Sequence, residues 1–154
     1  MTTLSLEKAS AIIDAALLAG RGASMMPLTV AVLDAGGHLL AFKREDGSGI
    51  LRPQIAMGKA WGALGMGISS RLMRDRLSNR PTFITALTAA SDGRLIPVPG
   101  GVLIKTAEGG TIGSVGISGD TSEKDEYCAV EGVKAAGLVP DPPEPDPNWQ
   151  ESNL

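Results

Sequence analysis

At 154 residues the chain has the length of one domain and can bury a real core, and 43% hydrophobic against 20% charged content fits a soluble globular protein. A net charge of −3 and only 3% aromatic residues supply neither a basic surface nor stacking platforms, which argues against a nucleic-acid partner. The single cysteine, Cys128, excludes an internal disulfide and fits a reducing compartment. No apolar run approaches the roughly 20 residues of a membrane span, and the first residues lack a secretory pattern. The expectation is a cytoplasmic protein with no membrane partner.

Ser5 is placed to cap a first helix, whose inner face reads Leu6, Ala9, Ile13, Ala16 and Leu17. Gly20 and Gly22 end it. Thr29 to Leu33 and His38 to Lys43 are apolar runs joined by Asp34-Ala35-Gly36-Gly37, a hairpin signal. Pro53 suits the first turn of a second helix, crowded with Ala56, Gly58, Ala60, Gly62, Ala63 and Gly65. So many small residues predict close packing against another element. Ser69 or Ser70 restarts a helix carrying Leu72, Met73 and Leu77 on one face and Arg71, Arg74 and Arg76 on the other, with Arg80 just beyond. These arginines read as a solvated face or as a receptor for the acidic tail of a neighbouring subunit. Thr82 to Ala90 forms a further short helix.

Val102 to Thr106 and Thr111 to Ser118 read as a second hairpin. Gly113, Gly116 and Gly119 allow close approach of another backbone or a ligand. A last helix follows, capped by Asp120 or Thr121 with Glu123 as the box partner, and ended by Gly137. From Pro140 the chain holds five prolines and acidic residues but no Lys or Arg, so neither a helix nor a central strand is expected. Two hairpins among helices predict an α+β fold with about five antiparallel strands.

Walker, GxSxG, CxxC and HExxH patterns are absent, and one histidine excludes a two-histidine metal site within the chain, so no metal site is expected. His38 reads as a half-exposed strand histidine, or as an axial haem ligand or proton carrier. Asp34 bonds its own turn, or moves a proton. Lys59, among small and apolar residues, either snorkels to water or binds a carboxylate or phosphate. Pro99-Gly100-Gly101 and Ser118-Gly119 offer backbone N–H groups that suit an anion. Asp125 either favours the helix dipole or projects beside Gly119. Cys128 reads as a buried apolar residue.

TVAVLDAGGHLLAFKREDG, the helix segment Ile55-Ala56-Met57-Gly58-Lys59-Ala60, VPGGVLI and GSVGISGDTSEKDEYCA stand in one order. Together they resemble the GlcG/HbpS family, the haem-binding or "haem-degrading" domain also found as the C-terminal part of some PduO-type cobalamin adenosyltransferases. The resemblance runs over residues 4–137. It implies a profilin-like fold of α/β/α layers with a five-stranded antiparallel sheet, and assembly into dimers or larger homo-oligomers. It also implies haem or a corrinoid as the ligand of some members. The family's pattern positions fall on Asp34, Gly37, Lys59, Pro99, Gly100, Gly101, Ser118, Gly119, Asp125 and Cys128, and are expected to cluster in a pocket between subunits. Residues 1–138 form the family domain. Residues 139–154 form an arm expected to pack on a partner subunit, because Trp149 otherwise has little to cover it.

Three functions follow. The first is a small-ligand-binding protein of this family, with haem or another tetrapyrrole as the cofactor. Met57, Met66, Met73 and the arginines would then supply walls and carboxylate partners. The second is a metal-independent hydrolase or isomerase of a small carboxylated metabolite. Lys59, Pro99, Gly100, Gly101, Ser118 and Gly119 would hold the anion, and Asp125 or Asp34 would move a proton. The third is a non-catalytic accessory oligomer.

Overall fold

The computed structural model describes residues 2–154. Helix α1 (Leu6–Gly22) starts as expected: the Ser5 side chain accepts the Lys8 N–H at 3.1 Å. Its buried face is Ala9, Ile12, Ile13 and Ala16. Leu6, expected inside, is 59% exposed. The Lys8 ammonium already meets the Ala136 carbonyl at the end of the partner helix, so Leu6 lies beyond the surface on which α1 packs.

Strands β1 (Thr29–Asp34) and β2 (Leu39–Arg44) form the first hairpin, and β3 (Gly101–Lys105) and β4 (Thr111–Ser118) the second. The two hairpins join through β1 and β4, and the five-stranded sheet runs β2-β1-β4-β3-β5, antiparallel throughout. The fifth strand, β5 (Val139–Asp141), comes from the tail. Pro140 is compatible with it because β5 is an edge strand, where one row of ladder bonds is not needed.

Alternation along the strands separates two faces. Val30, Val32, Val102, Ile104, Val115 and Ile117 join α1 and α5 (Ser122–Ala135) in the main apolar cluster. The opposite face lies under α2 (Arg52–Met66). There the Ser114 hydroxyl donates to the Ala60 carbonyl at 2.8 Å, and a Cβ on Gly116 would collide with the Ala56 carbonyl oxygen. The small residues of α2 therefore let helix backbone lie directly on sheet backbone. Helices α3 (Ser70–Leu77) and α4 (Pro81–Ala90) follow, over a second apolar cluster of Met73, Leu77 and Leu95.

Thr121 is the N-cap of α5, accepting from the Lys124 N–H at 3.3 Å. Glu123 is not its box partner. It pairs with Arg74 at 3.1 Å, and the Asp120 N–H goes instead to Asp125 Oδ1 at 3.0 Å.

After β5 the tail runs back along α5. Glu144 meets Lys134 at 2.9 Å, and the Glu144 carbonyl accepts from Arg71 at 2.8 Å. The Asp146 N–H donates to Glu126 Oε1 at 3.1 Å, and Glu126 also binds Arg71 at 2.9 Å. Trp149 stacks on Tyr127 with ring centroids 3.8 Å apart. The premise behind the partner-bound arm is thus corrected: Trp149 finds its cover within its own chain. Arg71 receives the acidic tail of the same molecule. Trp149→Ala is expected to cost about 1–2 kcal/mol through the lost stack and apolar area. Urea denaturation measures this, and an unchanged midpoint would contradict the fixed position of the tail.

Candidate functional site

Lys59 leaves α2, passes the start of β3 and the end of β4, and ends at α5 on the other side of the sheet. It is 2% exposed. Its ammonium donates to the Ile117 carbonyl at 2.8 Å and to Asp125 Oδ2 at 3.1 Å. Gly100, at φ +122°, makes the passage possible, since a Cβ there would stand 2.9 Å from both Lys59 Cδ and Nζ. Gly100 stands against the ammonium, and Ile117 and Asp120, which flank Ser118-Gly119, bond to it and to its carboxylate partner respectively. The anion among them is the chain's own Asp125.

One donor expected to hold a guest is also engaged, as is the neighbouring Asp120 N–H. The Gly101 N–H goes to Ser70 Oγ at 2.7 Å, and the Asp120 N–H to Asp125. The Ser118 hydroxyl accepts from Arg52 at 3.0 Å. Pro99 is buried beside the diglycine. Gly119 lies against the Pro27 carbonyl and Leu28. Cys128 is fully buried against Met25, and burial pushes its thiol above the ordinary range.

Burial pushes the Asp125 carboxyl up to about 6, against the pull of Lys59, from an ordinary value of 3.8. The same burial lowers Lys59, and Asp125 restores part of that loss. Between pH 6 and 3.8 the folded chain therefore binds more protons at Asp125 than the unfolded chain does. This group's contribution to stability grows as pH falls through that window and is lost as pH rises above it. Asp125→Asn removes the titration. The melting temperature of the native chain, relative to this variant, is expected to rise from pH 7 to pH 4. A constant difference would contradict the buried pair.

Asp34 and His38 lie elsewhere. Along β1, Thr29 pairs with Ser118 while Asp34 pairs with Gly113, which puts Asp34 about 16 Å of strand away from the Lys59 end. Asp34 Oδ1 accepts from the Gly36 and His38 N–H groups at 2.9 and 3.0 Å and contacts His38 Nδ1 at 3.2 Å. The His38 N–H, first among these bonds, holds the Asp34 carboxyl below its usual range. The His38 side chain is 81% exposed. Asp34 is a turn carboxylate, and neither residue is brought to Lys59.

A different cavity is open, on the α2 side near the first hairpin. It has a volume of about 490 Å³, within the range of ordinary ligand sites. Met57, Gly58 and Trp61 line it from α2, Leu33 and Leu39 from the hairpin, and Gly93, Arg94 and Ile96 from the segment after α4. Gly58 lets that segment lie on α2, because a Cβ there would collide with the Arg94 carbonyl. Gly37, at φ +82°, leaves room for the indole, whose Cδ1 would lie 3.2 Å from a Cβ at that position. The Arg94 guanidinium sits 3.9 Å from the centre of the Trp61 ring. Of the methionines singled out in the sequence, Met57 alone lines this space, while Met73 is buried in the second apolar cluster. Trp61 and Arg94 were missed. For Trp61 a signal was present: a tryptophan on a helix of small residues, one turn after Met57, has no room in the helix-sheet contact and must turn out of it.

Residues 4–134 match the family model described as haem degrading protein HbpS-like. The chain belongs to that family. The match takes in α1–α4, β1–β4 and nearly all of α5, and β5 and the tail lie outside it. HbpS is 27% identical, with a TM-score of 0.74 over 87% of this chain and 90% of that one. A double mutant of Streptomyces reticuli HbpS has the same identity and a TM-score of 0.73 over 87% of each chain. A PduOC:heme complex shares the fold at 24% identity and a TM-score of 0.80, over 89% of this chain and 97% of that one. No curated protein matches. Among the described residues, no helix is long and apolar enough to cross a membrane, and no cluster of side chains is suited to a metal ion.

Proposed function

We propose that this HbpS-like chain is a small-ligand-binding protein that takes a tetrapyrrole of the haem type in the Trp61–Arg94 cavity. The observation that carries this reading is the cavity itself: apolar walls, one aromatic face and one cation at the mouth. The family description and the heme complex of PduOC support the choice of ligand class. The lining fits a flat apolar ring with acidic substituents. Trp61, Leu39 and Ile96 would hold the ring, Arg94 a propionate, and the Met57 thioether is the soft donor available to iron. Bound haem would supply an iron centre capable of redox chemistry. The hydrolase or isomerase reading is weaker, because Lys59 and Asp125 are buried and spent on each other.

Haemin titration tests the proposal. A sharpened Soret band that saturates is expected, and Trp61→Leu should weaken binding by about tenfold, the equivalent of one aromatic stacking interaction. Saturable binding untouched by Trp61→Leu would remove the cavity from the reading.

The homo-oligomer has one supporting observation. Helix α4 is ten uncharged residues with none fully buried, a face that a second copy would cover. Ala89→Glu is expected to lower the mass found by sedimentation, and an unchanged mass would remove α4 from the interface.

A further inference from the structure

Arg94 is the only charged residue lining the cavity, and no carboxylate of the described residues lies within ion-pair distance of it. Its guanidinium rests on the Trp61 ring instead. Three of the other seven arginines have an acidic partner: Arg21 has Glu45, Arg71 has Glu126, and Arg74 has both Asp75 and Glu123. Arg80 rests on the Phe83 ring, but Arg94 is the one whose ring lines a cavity. A guanidinium stacked on a ring at a half-open mouth is only weakly held. A bidentate carboxylate is a stronger partner for the same fork. Moving to one would uncover the indole face for a flat ring.

We infer that Arg94 and Trp61 act together as a carboxylate-gated clamp, which makes a flat, apolar-faced carboxylic acid the ligand class of this cavity. The clamp rests on the proposed use of the cavity and deepens it. Recognition then resides in the acid group and the ring face, so a metal-free ring is held too, without the Met57 donor that iron would engage. Arg94 selects acids over their esters, and Trp61 contributes to both. Gly58 and Gly37 serve the clamp by seating the Arg94 segment and the indole.

Protoporphyrin IX and its dimethyl ester, in the same dilute detergent, are the probes, with binding followed by porphyrin absorbance and fluorescence. The native chain is expected to prefer the acid by at least about tenfold, the scale of one charge-assisted pair. Arg94→Gln should erase that preference while leaving ester binding within about twofold. Arg94→Lys should restore part of the preference, because a point charge replaces a fork. Trp61→Leu should weaken acid and ester alike. Circular dichroism shows whether each variant is folded, and none of these positions belongs to the core clusters. If the acid binds and Arg94→Gln keeps the preference, the clamp is wrong and the cavity reading stands. If neither probe nor haemin binds the native chain, both are wrong.

Discussion

Lys59→Met is expected to destabilise the protein by about 3–5 kcal/mol, because it strands the Asp125 carboxylate in a site where it is 1% exposed. The methionine is close in volume, so packing loss contributes little. What is lost is the ammonium that neutralises Asp125 and donates to Ile117. Asp125→Leu alone should cost a similar amount, by leaving the ammonium buried with one carbonyl. The double variant should recover most of the loss, since two apolar side chains need no desolvation. Urea denaturation of the four proteins gives the coupling directly. Additive losses would mean that the pair does not act as a unit. The pair spans the sheet end, from the α2 layer to the α5 layer, so its rupture should also loosen the two layers there. Hydrogen exchange of the Gly101 and Ile117 amides would report that loosening, and Gly101 is additionally bonded to Ser70.

Gly116→Ala is expected to have the second largest effect, about 3 kcal/mol or more. The added methyl would occupy the place of the Ala56 carbonyl oxygen, and it would also stand 2.9 Å from the Ala60 amide nitrogen. Neither contact is with a flexible side chain that can swing away. The helix must lift from β4, and the cavity on the same α2 face must change shape with it. A melting temperature within a few degrees of the native value would contradict the backbone-on-backbone contact. A milder comparison is Gly65→Ala, where open space surrounds the new methyl and helix propensity favours alanine.

Local chemistry made much of the fold legible. The Ser5 cap, the Asp34–Gly37 turn and the Gly137 stop each depend on a few neighbouring residues, and each stands where the sequence places it. The small residues of α2 announced close packing, and Gly58 and Gly116 show what they pack against. Strand β5 escaped because Pro140 argues against a strand unless the strand is known to lie at an edge. Leu6 escaped because periodicity does not tell where the partner surface ends. At the site, the approach of the Gly100 bend to Lys59 was legible. The identity of the anion was not, because Asp125 lies 66 positions away and its helix dipole already explains an acid there. Trp61 and Arg94 meet only because Gly58 brings a distant loop onto α2, a contact that no spacing rule reports.

Two sites compete for the ligand on paper, the Trp61–Arg94 cavity and the Lys59 end of the sheet, and chemical-shift mapping with metal-free protoporphyrin IX separates them. Ring-current shifts are expected at the Trp61 indole N–H, at Gly37 and at Gly93 to Ile96, with Gly119 to Thr121 unmoved. Shifts confined to Gly100, Gly101 and the start of α5, with residues 93–96 silent, would contradict the cavity and return the ligand to Lys59.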